Sequence, residues 1–268
     1  MHLWDLQHRI QPFFPEVANG SKWVKREHNV SVTLKRASII FTGTERGKVE
    51  IINAYGLEKE RIAVVPLPLP KLESKPSLER NQRLFFYPAQ FWPHKNHVTL
   101  LKAFAKAKSE LKQDLKLVLP GGDKGNLLHV KEEIKKLSLD SSVSLPGFIS
   151  KDEMRNLFAT SALMIYPSMF GPDNLPPLEA IAFECPVAVA CVPGANEQYG
   201  MAVKYFSPTD VEAIKNLIIS AASSKLDFSK EKEEGARLVA ERTASSVVVL
   251  IERELIKFEG IIWNWKSI

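Results

Sequence analysis

Five short apolar segments alternate with helical segments through the middle of the chain. The apolar segments are Arg83 to Pro88, Leu115 to Pro120, Ser142 to Gly147, Ala162 to Pro167 and Pro186 to Ala190. Between them, apolar residues recur at helical spacing and predict helices at about 96–112, 126–137, 151–159 and 175–183. Because strands separated by helices pair in parallel, we expect an α/β fold with a Rossmann-like parallel sheet and helices on both faces. Ligands of such sheets bind beyond the carboxyl ends of the strands.

The first 68 residues have a different pattern. They predict a helix over about 16–35, a strand at 37–41, a second helix after Gly43 and a strand at 61–66. This is too little sheet for a complete α/β domain. Residues 69–80, LPKLESKPSLER, are rich in proline and polar residues and predict a linker. We therefore expect a partial N-terminal segment over 1–68, the main domain over 81–227, and a helical tail over 228–268 that packs back on the first segment.

The composition limits the classes of function. With 268 residues and 45% hydrophobic content, the chain can bury a sizeable core. The sequence has neither a long apolar run nor the pattern of a signal peptide, which predicts a soluble cytoplasmic protein. The net charge of +5 suits phosphate-bearing substrates and leaves open a peripheral contact with the inner face of a membrane. No nucleic-acid recognition motif and no metal-ligand spacing is found, so we expect neither nucleic acid nor a metal.

The stretch SMFGPDNLPPLEAIAFECPVAV, from Ser168 to Val189, predicts a helix with a well-defined start. Asp173 or Asn174 suits the N-cap, and two prolines follow in the first turn. The backbone N–H groups of Asn174 and Leu175 would suit a phosphate. Glu179 follows about one turn later, where a ribose diol would be a better partner for its carboxylate than the phosphate itself. The alternative is a surface glutamate that favours the helix dipole.

A second candidate site lies in YPAQFWPHKNHVTLLKAF, from Tyr87 to Phe104. A strand ends near Pro88, and the loop that follows carries Gln90, His94 and Lys95. Lys95 stands at a strand-to-helix junction on the ligand-binding edge of the sheet, where an ammonium would neutralise a diphosphate. The alternative is an ordinary exposed loop lysine.

Taken together, these motifs resemble the C-terminal nucleotide-sugar-binding half of a family 4 glycosyltransferase of the GT-B fold. That family has a Gly-Arg-x-x-x-x-Lys loop before a helix ending in Leu-x-x-Ala-Phe, and the matching residues are Ala89, Gln90, Lys95 and Leu101 to Phe104. VLPGGD, VSLPGFIS and YPS match the next strands and turns. The signature is two glutamates with seven residues between them, followed by Gly-x-Pro-Val. GPDNLPPLEAIAFECPV aligns Glu179 with the second glutamate.

Three positions depart from the family pattern. Gly171 stands at the first signature glutamate, Gln90 at the loop arginine and Glu184 at the glycine before the last strand. In the family the first glutamate contacts the donor sugar, and the arginine and lysine contact the diphosphate. One carboxylate and one cation of the family pattern are thus missing together. We interpret this double loss as a variant of the site and not as its decay. Asp173 or Asn174 would then take over part of the sugar contact.

The N-terminal segment also resembles the family. WDLQHRIQPFFPE is similar to a segment with the start HDLQH in the acceptor domain, with Trp4 in place of the usual histidine. The resemblance implies that Asp5 and His8 lie in the cleft between acceptor and donor. It also implies an incomplete second Rossmann-like domain, a truncated acceptor domain whose missing strands a partner chain could supply.

The resemblance implies a retaining transfer of a sugar from a nucleotide-diphosphate donor to a saccharide or lipid-linked acceptor, in polysaccharide biosynthesis, without a metal. Lys95, Asn174 and Leu175 would bind the diphosphate, Glu179 the ribose, and the backbone near Gly147 and Phe148 the base. No catalytic residue is assigned. The variant is similar to mannosyltransferases, which favours GDP-mannose. The alternatives are a non-catalytic nucleotide-sugar-binding fragment, half of a split enzyme, and an unrelated nucleotide-binding epimerase or dehydrogenase.

Overall fold

The protein forms two compact units in its computed structural model. The structure describes residues 1–18, 20–69, 78–171 and 174–265, with the backbone alone at 18 and 261–265. Of these, 1–69, 171 and 240–265 belong to the first unit and 78–170 and 174–239 to the second. Most of the expected linker, residues 70–77, lies outside the described residues, so the expected domain boundaries stay a prediction.

The first unit contains a two-stranded parallel sheet and helices of 4 to 22 residues. Its α-helices and strands within the first 69 residues are α1 (Gln7–Ile10), α2 (Pro15–Ala18), α3 (Ser21–Arg36), β1 (Ile40–Thr42), α4 (Glu45–Tyr55) and β2 (Ile62–Val64). Its core contains Leu3, Leu6, Val30, Leu34, Ile40, Ile51 and Ile62. The single helix expected over 16–35 is wrong, because α3 begins only at Ser21, after Gly20, whose φ of 47° suits a glycine and not a helix.

The second unit is built on six parallel strands. They are β3 (Asn81–Phe86), β4 (Lys116–Pro120), β5 (Val143–Gly147), β6 (Ser161–Tyr166), β7 (Val187–Ala190) and β8 (Lys204–Phe206). The helices between and after them are α5 (His97–Leu111), α6 (Leu127–Lys136), α7 (Lys151–Thr160), α8 (Leu175–Ala182), α9 (Ala195–Tyr199), α10 (Val211–Ala222) and α11 (Ser229–Glu241). The five expected strands and four expected helices are confirmed to within two residues at each end.

Helices cover both faces of this sheet. Phe85 and Phe86 are neighbours on β3, so their side chains point to opposite faces. The ring of Phe85 packs against Phe104 of α5 at 6.3 Å, and that of Phe86 against Phe158 of α7 at 5.4 Å. Both phenylalanines are fully buried. The expected α/β fold with a doubly covered parallel sheet is confirmed.

The last described helix, α12 (Ala244–Trp265), belongs to the first unit. Among the described residues, no helix has both the length and the apolar character needed to cross a bilayer.

Helix α8 ends in a Schellman motif that contains an unfavourable residue. The N–H of Glu184 donates to Ile181 O at 2.8 Å, and that of Cys185 donates to Ala180 O at 2.9 Å. This motif places Glu184 in the left-handed region, with φ of 58°, where glycine is the usual residue. The Glu184 carboxylate pairs with Lys232 Nζ at 2.6 Å, but both side chains are largely exposed, so the pair adds little stability.

We expect Glu184→Gly to raise the free energy of unfolding by about 0.5–1 kcal/mol, because the relief of left-handed strain exceeds the loss of an exposed ion pair. Urea denaturation measures this change. Glu184→Gln is the matched control, since it removes the charge and keeps the strain, and it should leave stability nearly unchanged. A destabilised glycine variant would show that the ion pair is the stronger effect.

Candidate functional site

The order of strands in the second unit places a crevice between β3 and β6. The order is β5-β4-β3-β6-β7-β8, so successive connections run outward in opposite directions from these two strands. In parallel sheets such a reversal opens a crevice at the carboxyl ends of the strands. A pocket of about 380 Å³ lies there, and the residues that line it include Gln90, Trp92, Lys95, Gly121, Gly147, Phe148, Tyr166 and Pro176.

One wall of the pocket is made of the loops that follow β3, β4 and β5. The N–H of Ala89 donates to Pro120 O at 3.0 Å, and the N–H of Gly121 donates to Gly147 O at 2.8 Å. A methyl group on Gly121 would lie 2.0 Å from Ala89 O. Only glycine therefore lets these loops approach so closely.

A second set of contacts joins the loop after β3 to the loop after β6. The Tyr87 hydroxyl donates to Lys95 O at 2.9 Å, and the N–H of Met169 donates to His94 O at 2.8 Å. The His94 ring stacks on Phe170 at 4.1 Å. These contacts hold Lys95 at the end of a short 3-10 turn on the rim of the pocket.

The Lys95 ammonium lies in a triangle of polar atoms. Its Nζ is 3.1 Å from the Tyr166 hydroxyl and 3.0 Å from Asn174 Oδ1, and these two oxygens are 3.0 Å apart. The ammonium also lies 5.2 Å from the centre of the Tyr166 ring, within the range of a cation–π contact. Lys95 is the only lysine or arginine among the described residues that line the pocket.

Helix α8 begins as the sequence predicts, but its capping differs. Asn174 is the N-cap residue, yet its side chain makes no capping hydrogen bond because its oxygen is directed to Lys95 and Tyr166. Pro176 and Pro177 have no N–H groups, so the backbone donors at this helix start are those of Asn174 and Leu175. The helix start offers fewer donors than usual, which makes the nearby ammonium more important for an anion.

Glu179 is half-buried on α8, and burial raises the pKa of its carboxyl. Its carboxylate makes no hydrogen bond or ion pair with any described residue. Glu179, Asn174 and Leu175 are not among the residues that line the pocket. Contact of Glu179 with a ribose therefore stays a prediction.

Three of the other predicted donor residues line the pocket. Gln90 lines it, and the Gln90 side-chain oxygen accepts a hydrogen bond from Trp92 Nε1 at 2.9 Å. Gly147 and Phe148 also line it, and the Phe148 side chain is 80% exposed. Asp173 lies outside the described residues.

Asp5 and His8 belong to the first unit. His8 is fully buried, with Nε2 3.0 Å from Glu27 Oε2. Asp5 accepts hydrogen bonds from the N–H of Gln7 and from Arg26, each at 2.8 Å. These contacts explain both residues as structural within their own unit, and their expected place in a cleft stays a prediction.

Sequence reasoning did not identify Tyr166 as a site residue. Tyr166 ends β6 and Lys95 follows β3, and these are the two strands at the reversal of the sheet. Finding it requires the order of the strands, which the alternation of strands and helices alone does not determine.

The fold and the pocket define an α/β protein of the GT-B type with a ligand crevice in its second unit. The sequence profile of the family "Glycosyl transferases group 1" matches residues 70–238, which is more than half of the chain. The chain belongs to this family, and the resemblance deduced from its motifs is confirmed.

Two relatives are mannosyltransferases by name. The O-antigen chain mannosyltransferase RfbU of Salmonella typhimurium is 25% identical over 214 residues, which cover 78% of this chain and 59% of the relative. The O-antigen chain mannosyltransferase B of Escherichia coli is 25% identical over 208 residues, covering 73% and 54%. The chain thus spans somewhat over half the length of these curated relatives.

Two solved structures show the same fold. A glycosyltransferase from Rickettsia africae superposes with a TM-score of 0.67 at 19% identity, covering 85% of this chain and 65% of that protein. Anabaena HepE in complex with UDP and glucose superposes with a TM-score of 0.65 at 16% identity, covering 86% and 64%.

Proposed function

We propose that the pocket of the second unit binds a nucleotide-diphosphate sugar, and that the protein transfers this sugar to a saccharide or lipid-linked acceptor with retention at the anomeric carbon. The observation that carries the proposal is the position of the Lys95 ammonium at the pocket, beside the strands where the order of the sheet reverses. Its hydrogen-bond partners, Tyr166 and Asn174, are neutral. Family membership supports the same reaction class. Polysaccharide biosynthesis is the proposed setting, at the cytoplasmic side of a membrane.

In this proposal Lys95 and the N–H groups of Asn174 and Leu175 bind the diphosphate and stabilise the charge that develops on it as the sugar leaves. Glu179 accepts hydrogen bonds from the ribose hydroxyls. Its raised pKa, caused by burial, is compatible with a carboxylate whose partner arrives with the ligand. Gly147 and Phe148 border the base.

We propose a transfer that uses no metal. Among the described residues, no group of three His, Cys, Asp or Glu side chains is arranged to hold a metal ion. In the proposed mechanism Lys95 and backbone N–H groups neutralise the diphosphate.

GDP-mannose is the proposed donor. The names of the relatives, which are mannosyltransferases, support mannose. The HepE complex contains UDP and glucose, so UDP-glucose is the competing donor to test. Release of GDP or UDP in the presence of a membrane or oligosaccharide acceptor distinguishes the two donors, because a transferase releases the nucleotide only when the sugar has moved.

A second candidate is a chain that binds the donor but needs a partner chain for turnover. The observation in its favour is that the chain matches 59% and 54% of the two mannosyltransferases. Donor binding without release of nucleotide would favour this candidate. Release of nucleotide by the purified chain would exclude it.

We expect Lys95→Met to weaken the binding of GDP by roughly 10- to 100-fold, because a hydrogen bond to a charged group is lost from the pocket. Isothermal titration calorimetry gives the affinity. Lys124→Met is the matched control, since Lys124 lies 5.7 Å from the Trp92 ring but does not line the pocket. Equal losses in the two variants would place the diphosphate elsewhere.

A further inference from the structure

The Lys95 ammonium is held by two neutral oxygen atoms. Tyr166 and Asn174 supply them, at 3.1 and 3.0 Å. Among the described residues, no aspartate or glutamate forms an ion pair with Lys95. The positive charge of the ammonium is therefore not neutralised within the part of the unit that the structure describes, and it stays available for an anion.

The triangle also limits the directions in which the ammonium can donate. An ammonium has three N–H donors, and the two oxygens accept two of them. The third remains for a ligand. A free lysine side chain loses much rotamer freedom when it binds, so a side chain that is already held loses less.

The third side of the triangle comes from the hydroxyl of Tyr166. It donates to Asn174 Oδ1 at 3.0 Å while its oxygen accepts from Lys95. Tyr166 ends a buried strand, and its side chain is almost fully buried. The aromatic ring therefore gives Lys95 and Asn174 a rigid common partner.

The backbone of Asn174 is anchored separately. Its carbonyl accepts from the Tyr199 hydroxyl at 3.1 Å and from Gln198 Nε2 at 3.3 Å. Both donors belong to α9 and are buried, with 3% and 1% of their surface exposed. Hydrogen bonds thus hold both the backbone carbonyl and the side-chain amide of Asn174, and the amide oxygen is directed to Lys95.

We propose that Tyr166 and Asn174 are positioning residues that hold Lys95 for the diphosphate of the donor. They make one well-placed cation sufficient in a pocket where Lys95 is the single lysine or arginine among the described lining residues. The inference rests on the proposed binding of a nucleotide-diphosphate sugar. Tyr166 and Asn174 then contribute to recognition of the diphosphate and not of the base or the sugar.

A double-mutant cycle tests the role of Tyr166, with GDP titrated into the full chain by calorimetry. Tyr166→Phe should weaken binding of GDP by roughly 3- to 10-fold in the native background and by less than about 2-fold in the Lys95→Met background. In each background, guanosine should bind equally to the proteins with tyrosine and with phenylalanine at position 166. Tyr205→Phe is the matched control, because it removes a hydroxyl that donates to Gly200 O at 2.7 Å in the same unit.

The outcomes separate the two proposals. The same loss from Tyr166→Phe in both backgrounds, or no loss in either, would overturn the positioning role while leaving the proposed function intact. A folded native chain that binds neither GDP nor UDP would overturn the proposed function, and the positioning role with it.

Asn174→Asp tests the effect of a negative charge placed beside Lys95. The carboxylate has the shape of the amide but would neutralise Lys95 and repel a diphosphate. We expect Asn174→Asp to weaken GDP binding at least about tenfold, and more than Asn174→Ala does. If the aspartate variant binds GDP as tightly as the native chain, the neutral partners of Lys95 have no role in binding.

Discussion

Replacement of Gly121 by alanine should lower the free energy of unfolding by about 3 kcal/mol. The added methyl group would clash with main-chain atoms, which cannot move away by a change of rotamer. The new Cβ would lie 2.0 Å from Ala89 O, 2.6 Å from Ala89 C and 3.0 Å from Gln90 N. Relief requires the loops after β3 and β4 to separate. Because these loops line the pocket, binding of GDP should be lost together with stability.

Gly122→Ala provides the matched control, one residue further along the same loop. Its Cβ would meet the ring of Phe148 at 2.7 Å, but this side chain is exposed and can move. We expect a loss of less than about 1 kcal/mol in urea denaturation. Similar losses in the two variants would show that the close approach of the loops is not what makes Gly121 necessary.

The largest pH effect on stability should come from His97. This residue begins α5 and is fully buried, with its ring 4.6 Å from that of Phe91 and 4.9 Å from that of Tyr87. Burial, with the charge of Lys95 nearby, lowers the pKa of His97 to about 3. Below its ordinary pKa of 6.5 the unfolded chain therefore binds a proton that the native protein does not. The free energy of unfolding falls as the pH drops from 6.5 towards 3.

We expect this residue alone to reduce stability by about 3 kcal/mol between pH 7 and pH 4. Urea denaturation at the two pH values, on the native chain and on His97→Phe, isolates the contribution, because all other carboxyl and imidazole groups are shared. The phenylalanine variant should lose about 3 kcal/mol less than the native chain. His129→Phe, at an exposed position on α6, should follow the native protein. An equal pH dependence in native and His97→Phe proteins would mean that His97 takes up a proton in the folded state.

The main elements of the second unit could be predicted from the sequence because apolar strands such as that ending at Tyr166 are bounded by proline and followed by amphipathic helices. The last strand, β8, could not be predicted, because its three residues, from Lys204 to Phe206, are too few to show a hydrophobic pattern. Helices α9 and α10 were also not predicted. In the first unit the periodicity of the sequence continues through Gly20, so the sequence indicates one helix where the structure has α2 and α3.

The candidate site was predictable in part. Lys95 lies in the connection after β3 and Gly147 ends β5, so their place at the ligand-binding edge could be deduced from the order of the elements. The triangle formed by Lys95, Tyr166 and Asn174 could not be predicted, because it joins residues up to 79 positions apart. The N-cap rule even predicts the opposite use of Asn174, whose side chain contacts the cation and not its own helix.

The most direct test of the central claim compares the binding of GDP, UDP and the corresponding nucleosides to the native chain by calorimetry. The claim is that the pocket between β3 and β6 recognises the diphosphate of a nucleotide sugar through Lys95. It predicts that GDP or UDP binds at least about tenfold more tightly than its nucleoside, because the phosphates supply the charged contacts. Equal affinity for the nucleoside diphosphates and nucleosides, or no binding of either in a folded sample, would contradict it.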